Sequence, residues 1–380
     1  MKFIHIADLH LGKVLHQYSL LSLQREALME LLEYAKKETI SIIVIAGDIY
    51  DRFIPSQEAV NVLDEFLSKA LLKYHIKVLM ISGNHDSSDR LNFGSSILKQ
   101  EGLFIETRLQ ETMKQVTFND EQGEVVFHLL PFVKPSGISQ CFKDAPTDTY
   151  QRAFEYYMSQ QRIDTSKRNV LITHQFIGGG ITSSSELPLS VGGSEIIDYH
   201  LFDEFDYVAL GHLHAPQKIK RESMRYSGSL LRYSFDEVNQ EKSFVVVDMK
   251  EKGNMTLSYS ILHPSLQVRK ESGHFEEFLK DDKVERKNDL LSFDLLDHQM
   301  IPQAIDLLRL IYPNLLQIRY TFFTKEDTVT NHKIKAMEEK NITELFSSFY
   351  QEVKGEALAE DVTSIVHTLF DEVGEHHETN

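Results

Sequence analysis

The N-terminal part of the chain alternates short apolar runs with stretches whose apolar residues recur at helical spacing. Lys2–Ala7, Ile42–Ala46 and Lys77–Ile81 are predicted strands. The second of them is β-branched and too short for a helix, which is typical of a buried parallel strand. Leu20–Lys37 and Ser56–Tyr74 have a helical period. This βαβαβ order predicts parallel strands joined by helical crossovers.

Beyond these units the pattern indicates two hairpins and two more buried strands. The hairpins are Gln115–Phe118 with Glu124–Leu130 and Ser243–Met249 with Thr256–Leu262, and the strands are Val170–Thr173 and Tyr207–Leu210. Parallel units followed by hairpins predict an α/β fold in which two β-sheets pack face to face, with helices on the outside.

The apolar pattern is lost over Pro264–Gly273, a candidate domain boundary. After it, the pattern predicts a small α/β domain, a polar linker and two amphipathic helices. These segments are a strand at Leu290–Leu296, a helix at Gln299–Ile311, a strand at Leu315–Phe322, the linker Thr324–Lys340, and the helices Ile342–Val353 and Leu358–Val373. The predicted domains are therefore residues 1–265, 266–325 and 326–380.

Composition narrows the class of protein. Of 380 residues, 42% are apolar, so a sizeable core can form and disorder throughout is excluded. A formal net charge of −17 argues against a protein that coats nucleic acid electrostatically. The single cysteine, Cys141, fits a reducing compartment. Without a signal-peptide core or an apolar run near the roughly 20 residues that span a bilayer, we expect a cytoplasmic protein that does not bind membranes.

Ligand-type side chains follow the ends of five predicted strands. The clusters are Asp8-Leu9-His10, Gly47-Asp48-Ile49-Tyr50-Asp51, Gly83-Asn84-His85-Asp86, His174 and Gly211-His212-Leu213-His214. Each alone has an ordinary structural explanation, such as a strand-end cap, a βα turn or a hydrogen-bonded core histidine. Because the carboxyl ends of strands converge at one edge of an α/β sheet, the set together predicts one cleft.

The donors in this cleft indicate its chemistry. Carboxylate, amide and imidazole donors without cysteine suit Mn²⁺, Fe²⁺ or Zn²⁺ rather than Ca²⁺ or a closed structural zinc site. Seven donors exceed the needs of one ion, so we expect two ions, held roughly 4 Å apart by a bridging carboxylate. Two ions bring four positive charges that Asp8 and Asp48 only partly offset, which favours an anionic substrate. The arrangement suits in-line attack of a metal-bound hydroxide on a phosphorus ester.

These clusters resemble the calcineurin-like metallophosphoesterase superfamily, whose pattern runs D-x-H, G-D-x-x-D, G-N-H-D/E, H and G-H-x-H. Within it the chain is similar to the SbcD family, nuclease subunits that partner the SMC-like ATPase SbcC. The segments that carry this similarity are "HIADLHLG", "GDIYDRFIPS", "GNHDSSDRL", "FDYVALGHLHAPQ" and "YSGSLLRYSFDEVNQEK". The similarity is detailed over about residues 1–265 and mainly architectural from 266 to 375. It implies a four-layer sandwich and a capping domain that contacts DNA.

The resemblance also implies roles for individual residues. The metal ligands would be Asp8, His10 and His214 for the first ion, Asn84, His174 and His212 for the second, and Asp48 as the bridge. His85 would contact the scissile phosphate and protonate the leaving oxygen, held by the carboxylate of Asp86. A helix N-cap is the structural alternative for Asp86, and Asp51 is expected to be structural.

The implied function is a Mn²⁺-dependent DNA nuclease subunit, with double-strand exonuclease and single-strand or hairpin endonuclease activity in DNA repair and recombination. Two alternatives remain open. A small-molecule phosphoesterase would use the same metals but would need neither a capping domain nor a helix pair. A non-catalytic, metal-stabilised scaffold for an ATPase fits poorly with a chain that retains His85 and all seven ligands.

The partners follow from what the sequence lacks and from the resemblance. The chain contains no G-x-x-x-x-G-K-[ST], so any ATP dependence must come from another chain. The resemblance implies SbcC, in a heterotetramer docked on the C-terminal helices, although those helices could instead pack on the chain's own core. It also implies a homodimer through helices 56–74 and 90–100, unless these faces are buried within one chain.

Two further features are expected near DNA. Arg90, Ser229, Arg232 and Lys242 fall in the segments that carry the resemblance, and each is either a DNA contact or a packing residue. The loop Gly178–Gly193 directly follows His174 and is rich in Gly and Ser. Because long loops in compact domains are often functional, we expect it at the rim of the cleft.

Overall fold

Two six-stranded sheets form the body of the fold. The computed structural model describes residues 1–186, 195–280 and 283–321, together with residue 362. Among these residues the strands are β1 (Lys2–Ile6), β2 (Val14–Leu15), β3 (Tyr18–Ser19), β4 (Ile42–Ala46), β5 (Lys77–Ile81), β6 (Leu103–Glu106), β7 (Lys114–Asp120), β8 (Gly123–Leu130), β9 (Arg168–His174), β10 (Tyr207–Gly211), β11 (Gln217–Ile219), β12 (Arg221–Tyr226), β13 (Ser243–Met249), β14 (Met255–Ile261), β15 (Val268–Gly273), β16 (Leu290–Leu295) and β17 (Leu315–Tyr320). The α-helices are α1 (Leu21–Lys37), α2 (Gln57–Ser68), α3 (Ser88–Asn92), α4 (Ser95–Leu98), α5 (Pro135–Cys141), α6 (Tyr150–Ser159), α7 (Phe275–Phe278) and α8 (Ala304–Arg309).

The first sheet has the strand order β14-β13-β1-β4-β5-β6. Strands β1, β4, β5 and β6 are parallel, with Ile4 opposite Ile43 and Ile43 opposite Val78. The hairpin β13–β14 extends the sheet antiparallel to β1. The predicted βαβαβ unit is therefore present, and all five residues of β4 are buried, as expected for a parallel strand covered on both faces.

The second sheet has the order β11-β12-β10-β9-β8-β7. Its central strands β8, β9, β10 and β12 are parallel, and its two edge strands pair antiparallel. The predicted hairpin is β7–β8, closed by residues 121 and 122. Each sheet contains four strands that run parallel to one another, so several strand ends meet at one edge of each sheet.

A shared apolar core joins the two sheets. The buried ring of Phe3 on β1 lies 5.3 Å from that of Phe127 on β8 and 5.7 Å from that of Tyr207 on β10. On the outer face of the first sheet, α1 and α2 bury Leu28 and Phe66. On the outer face of the second sheet, α6 buries Phe154 and Tyr157. The layers are helix, sheet, sheet and helix, which confirms the predicted fold class.

Helices α5 and α6 were not predicted from the sequence. Pro135 stands in the first turn of α5, where a missing N–H costs nothing. The side chain of Thr149 caps α6 by accepting a hydrogen bond of 3.2 Å from the Arg152 N–H. Phe154 and Tyr157 of α6 are fully buried against the second sheet.

Three predicted helices have different bounds in the structure. The helix expected over residues 90–100 is α3 and α4, separated at Phe93 and Gly94, and the 3₁₀ turn Lys99–Glu101. The predicted Ser56–Tyr74 is α2 followed by the π-helical segment Lys69–Lys73. The predicted Gln299–Ile311 is only the short helix α8. Gln303 has a φ of 55°, so its left-handed backbone prevents the helix from starting earlier.

The C-terminal elements include a three-stranded sheet of order β15-β16-β17. The described residues divide into two compact units. The first consists of Met1–Glu271, Leu279–Phe293 and Ile305–Ile318, and the second of Ser272–Phe278, Asp294–Ala304 and the described residues from Arg319. The predicted linker and helix pair lie outside the described residues, apart from residue 362, so the predicted domain boundaries stay predictions. Within the described part of the chain, no helix is long and apolar enough to cross a membrane.

Candidate metal centre

The seven predicted ligands converge at the strand ends of both sheets. The first sheet contributes Asp8 and His10 after β1, Asp48 after β4 and Asn84 after β5, and the second contributes His174 at the end of β9 and His212 and His214 after β10. All are buried except Asn84, which is half-buried. The cleft predicted from five separate motifs is therefore one site in three dimensions.

The donor atoms are divided here into the two groups that the resemblance implies, with Asp8 Oδ1 also 3.9 Å from His174 Nδ1. In the first donor group (Asp8, His10 and His214), His10 Nε2 lies 3.1 Å from His214 Nε2. In the second donor group (Asn84, His174 and His212), Asn84 Oδ1 lies 3.1 Å from His174 Nε2 and 3.2 Å from His212 Nδ1.

Asp48 lies between the two donor groups. Its Oδ2 is 3.4 Å from His10 Nε2 in the first donor group and 3.4 Å from His174 Nε2 in the second. Its other oxygen, Oδ1, accepts a hydrogen bond of 3.0 Å from the His85 backbone N–H. One carboxylate oxygen therefore faces donors of both groups, which is the position that a bridging ligand needs.

The donors fit divalent cations. Asp8 Oδ2 is buried and has no hydrogen-bond partner among the described residues. His10 Nε2 and His214 Nε2 point at each other, so at this distance they either share a proton or share a cation. A buried carboxylate oxygen without a partner is costly unless a cation or a proton satisfies it.

The backbone is strained where it presents these donors. Asp8, His10, Asp48 and His212 have φ values of 53°, 43°, 50° and 110°, which non-glycine residues rarely adopt. Each such residue costs about 1–3 kcal/mol and persists only where the surroundings hold it. Here the turns after β1 and β4 hold each other, since the Asp8 N–H donates to Gly47 O at 3.1 Å and the His10 N–H to Asp48 O at 2.9 Å.

Glycines allow these elements to approach closely. A Cβ on Gly83 would lie 2.1 Å from Asp48 Oδ1. A Cβ on Gly211 would lie 1.8 Å from Ala46 O and 2.7 Å from His174 Nδ1. Because no side chain fits in either space, the G-N-H-D and G-H-x-H motifs need glycine for steric reasons.

Burial and neighbouring charges shift the pKa values of Asp8 and Asp48 in opposite directions. Burial raises the pKa of Asp8 to about 7, even though the neighbouring His174 and His214 rings oppose the rise. Burial also disfavours the charged form of Asp48, but the His174 and His10 rings outweigh it and hold the pKa of Asp48 well below its usual range. The carboxylate between the groups therefore stays ionised.

The pKa values of the histidine ligands are also shifted in opposite directions. Burial lowers the pKa of His212 to about 3 and holds the pKa of His10 well below its usual range. Burial has the same tendency at His174, but Asp48 and Asp8 outweigh it and raise the pKa of His174 to about 9. Because ligation requires neutral imidazole, His10 and His212 are ready to bind a cation, whereas His174 must release a proton.

Comparison with known proteins places the chain in a family. A family model described as calcineurin-like phosphoesterase matches residues 1–216, more than half of the chain. Two relatives that carry the name of the SbcD component of the SbcCD nuclease are similar over nearly the whole length: the Staphylococcus epidermidis protein is 37% identical over 95% of both chains, and the Staphylococcus saprophyticus protein is 35% identical over 94% of both. The chain belongs to the SbcD family of calcineurin-like phosphoesterases. It is accordingly a metal-dependent hydrolase.

Two further comparisons concern the C-terminal part of the chain and the fold. A model described as the type 5 capsule protein repressor C-terminal domain matches residues 265–354. A solved dimetal phosphatase from Danio rerio is 12% identical with a TM-score of 0.39, covering 68% of this chain and 95% of its own.

Asp86 does not hold the His85 ring, contrary to the sequence expectation. Its Oδ2 accepts hydrogen bonds from the backbone N–H groups of Gly83 and Ile49, at 2.9 and 3.0 Å, and its Oδ1 accepts one from Tyr50 at 3.0 Å. It is not a helix N-cap either, because α3 begins two residues later. Asp86 instead ties the turn after β5 to the turn after β4.

His85 is oriented by a main-chain carbonyl. Its Nδ1 lies 3.0 Å from the backbone oxygen of Asp51. The Asp51 carboxylate pairs with Lys13 at 2.9 Å and belongs to neither donor group, in keeping with the structural role expected for it. The half-buried His85 ring packs edge-on against His10 with centroids 4.8 Å apart, so it borders the first donor group.

Two positioning residues were missed by the sequence analysis. Gln24 on α1 donates from Nε2 to Leu9 O at 2.9 Å and to His10 O at 2.7 Å, and its Oε1 accepts from the Gly12 N–H at 3.0 Å. Tyr233 donates its hydroxyl to Leu9 O at 2.5 Å. The only sequence signal for Gln24 was a polar residue on the apolar face of a helix.

Most of the residues considered for DNA contact are packing residues. Ser229 and Lys242 are buried, with Lys242 Nζ 2.9 Å from Ser229 Oγ. The Arg232 guanidinium donates to the backbone oxygens of Gln240 and Val268, at 3.1 and 3.0 Å. Arg90 alone among the four is exposed.

The described part of the loop after His174 does reach the cleft. Glu186 Oε1 accepts the backbone N–H of His214 at 2.5 Å, and Ser185 Oγ lies 2.6 Å from His214 Nδ1. The remainder of the predicted loop, from residue 187, lies outside the described residues. The segment that follows β9 thus contacts the first donor group.

Proposed function

We propose that the chain is a Mn²⁺-dependent DNA nuclease subunit, a double-strand exonuclease and single-strand or hairpin endonuclease that acts in DNA end processing, repair, recombination and replication. The observation that carries the proposal is the position of Asp48, whose Oδ2 lies 3.4 Å from one nitrogen of each donor group. The names of the two staphylococcal relatives support DNA as the substrate.

In this proposal each donor group holds one ion and Asp48 is shared. The ligands are Asp8, His10 and His214 for one ion and Asn84, His174 and His212 for the other. Bound divalent ions would stabilise the charge that develops on the phosphodiester and activate the attacking water. The protein's own part is to hold seven donors in place without rearrangement, at a cost in backbone strain.

His85 is proposed to contact the scissile phosphate and to protonate the leaving oxygen. Its Nδ1 donates to the Asp51 carbonyl, which leaves Nε2 as the atom that can carry the transferred proton. Asp86 supports this chemistry indirectly, by fixing the turn on which His85 stands.

The proposed partners are DNA and an SbcC-type ATPase in the cytoplasm. The chain lacks a nucleotide-binding P-loop, so ATP dependence would enter through the partner. We keep the assignment of residues 266–325 as a DNA-contacting cap and of 326–380 as the partner-binding segment. Removal of the chain from Glu338 onward should abolish binding of the ATPase while leaving the metal centre intact.

A homodimer through residues 56–74 and 90–100 is also proposed. Leu63, Phe66 and Leu91 are buried within one chain, so the contact would rest on exposed apolar side chains. Phe93 and Ile97 are 87% and 74% exposed. Light scattering should give twice the chain mass of 43.9 kDa, and substitution of Ile97 by Glu should halve it.

The proposed function is tested by cleavage of end-labelled duplex DNA with Mn²⁺, with and without the ATPase and ATP, beside a small chromogenic phosphodiester. We expect progressive shortening of the duplex only with ATPase and ATP. Turnover of the small ester without DNA cleavage under either condition would replace the nuclease by a small-molecule phosphoesterase. No turnover of either substrate, with both ions bound, would favour the non-catalytic scaffold.

A further inference from the structure

A buried ion pair lies behind His214. Glu237 is fully buried, Lys242 is 7% exposed, and Lys242 Nζ lies 2.7 Å from Glu237 Oε2. Replacing a buried pair by apolar residues is often neutral or stabilising, so a pair of this kind is weak evidence of a purely stabilising role. Its position next to a predicted ligand therefore needs another explanation.

Both members of the pair reach His214. Lys242 Nζ donates to the backbone oxygen of His214 at 2.8 Å. Glu237 Oε1 lies 3.6 Å from His214 Nδ1, and the hydroxyl of Ser185 bridges the gap. The Ser185 hydroxyl donates to Glu237 Oε1, which leaves its oxygen lone pairs to accept the Nδ1–H of His214.

This chain of hydrogen bonds selects one tautomer of His214. With the proton on Nδ1, the lone pair of Nε2 points toward His10 Nε2, 3.1 Å away. The backbone N–H of His214 donates to Glu186 and its backbone oxygen accepts from Lys242. Every polar atom of His214 except Nε2 is thus occupied by the protein.

The segment around the pair is built to approach His214. The Tyr233 ring packs edge-on against His214 with centroids 5.5 Å apart, and the Tyr233 backbone N–H donates to Glu237 Oε2 at 3.2 Å. A Cβ on Gly228 would lie 2.6 Å from His214 O, so only glycine fits there. The segment that contains Gly228 and Tyr233 therefore packs directly against His214.

We propose that Glu237, Ser185 and Lys242 are positioning residues for the first donor group: Glu237 acts through Ser185 to fix the tautomer of His214, and Lys242 fixes its main chain. The proposal rests on the proposed function, because it presupposes an ion at the first donor group. Outer hydrogen-bond partners of this type typically change metal affinity by about 10- to 100-fold. The second donor group has no contact with these three residues in the described part of the chain and should be unaffected.

The test measures Mn²⁺ binding to the full chain by calorimetry and by the electron paramagnetic resonance of bound Mn²⁺, rather than by activity. Ser185→Ala removes only the bridging hydroxyl of a half-buried loop residue, so the variant should fold. Its matched control is Ser184→Ala, because the hydroxyl of Ser184 binds the Asp236 carboxylate instead. Glu237→Gln removes the charge at nearly constant shape, and Glu237→Asp serves as the conservative variant.

We expect wild type and Ser184→Ala to bind two ions. Ser185→Ala should bind one ion about 10-fold more weakly, Glu237→Gln about 10- to 100-fold more weakly, and Glu237→Asp in between, with the other ion unchanged. Two ions at wild-type affinity in Ser185→Ala overturn the proposal, whether or not Glu237→Gln folds. A wild-type chain that binds no ion instead overturns the proposed function itself.

Discussion

The two donor groups are held by different parts of the protein. Remote side chains support the first: Gln24 and Tyr233 fix the turn that carries His10, and Glu237 stands behind His214. Main chain supports the second, since His174 Nδ1 lies 2.8 Å from the backbone oxygen of Ala46. Loss of the Gln24, Tyr233 or Glu237 side chain should therefore loosen the first donor group, whereas changes that move β9 or β10 should disturb the second.

The largest effect should come from Gly211→Ala, which strikes the main-chain support of the second donor group. The new Cβ would lie 1.8 Å from Ala46 O and 2.7 Å from His174 Nδ1, so β10 has to move away from β4. We expect the free energy of unfolding to fall by more than about 3 kcal/mol, measured by urea titration, with loss of the second ion.

The matched control is Gly253→Ala in the β13–β14 turn. Gly253 has a positive φ of 81°, unlike Gly211, and nothing lies within 4 Å of its Cβ position. Only the left-handed backbone is penalised there, so we expect a loss of about 1 kcal/mol. Equal losses at the two glycines would show that close approach at Gly211 is unimportant.

Next in size is His85→Ala, which tests whether this ring belongs to either donor group. His85 borders His10 but is oriented by the Asp51 carbonyl. If it serves as the proton donor, DNA cleavage should fall by about 10²- to 10⁴-fold while both Mn²⁺ ions stay bound at wild-type affinity. Loss of one ion together with activity would instead make His85 a ligand.

The sequence predicted what depends on local pattern. The bounds of β4, β5 and β13 match the predicted strands, because each is a short, mostly buried apolar run with polar residues on either side. Convergence of the seven donors followed from one rule, that carboxyl ends of parallel strands meet at one edge.

The features that the sequence did not predict depend on contacts between segments that are distant along the chain. Nothing near Asp8 or Asp48 in the sequence signals that their backbones are left-handed, since the strain is held by hydrogen bonds between two different turns. Lys242 was considered for DNA contact because it lies in a segment that carries the family resemblance, with a packing role as the alternative. Its burial follows from contacts with Glu237, five residues away, and with His214 in the segment after β10.

A smaller effect is expected for Gln24→Leu, which tests the side-chain support of the first donor group. Leucine keeps the volume but removes the hydrogen bonds to Leu9 O and His10 O. One of the two Mn²⁺ ions should bind about 10-fold more weakly, and the other should be unaffected. The free energy of unfolding should fall by about 1–3 kcal/mol. Calorimetry measures both ions in one titration.

The control for Gln24→Leu is Gln57→Leu on the exposed face of α2. Among the described residues, the Gln57 side chain hydrogen-bonds only that of Asn61, at 3.1 Å. Its loss should therefore change stability by less than about 0.5 kcal/mol and leave the binding of both ions unchanged. If Gln24→Leu weakened the binding of both ions equally, the proposed difference in support between the two donor groups would be wrong.

A pH-dependent effect is expected for a histidine that belongs to neither donor group. His5 on β1 is fully buried between the sheets, with Nδ1 2.9 Å from the hydroxyl of Tyr207. Burial, aided by the nearby Arg225 charge, lowers the pKa of His5 to about 3. Below the ordinary histidine pKa of about 6.5, the unfolded chain therefore binds a proton that the folded chain does not, and stability falls as the pH falls from about 6.5 toward 3.

Substitution His5→Asn removes this titration while leaving an amide near the Tyr207 hydroxyl. In metal-free protein, the free energy of unfolding of wild type should fall more steeply than that of His5→Asn between pH 6.5 and pH 4, by on the order of 1 kcal/mol per pH unit. Urea titrations of both chains at several pH values measure the difference. Parallel curves would mean that His5 does not contribute to the acid sensitivity, because the other titrating groups are the same in both chains.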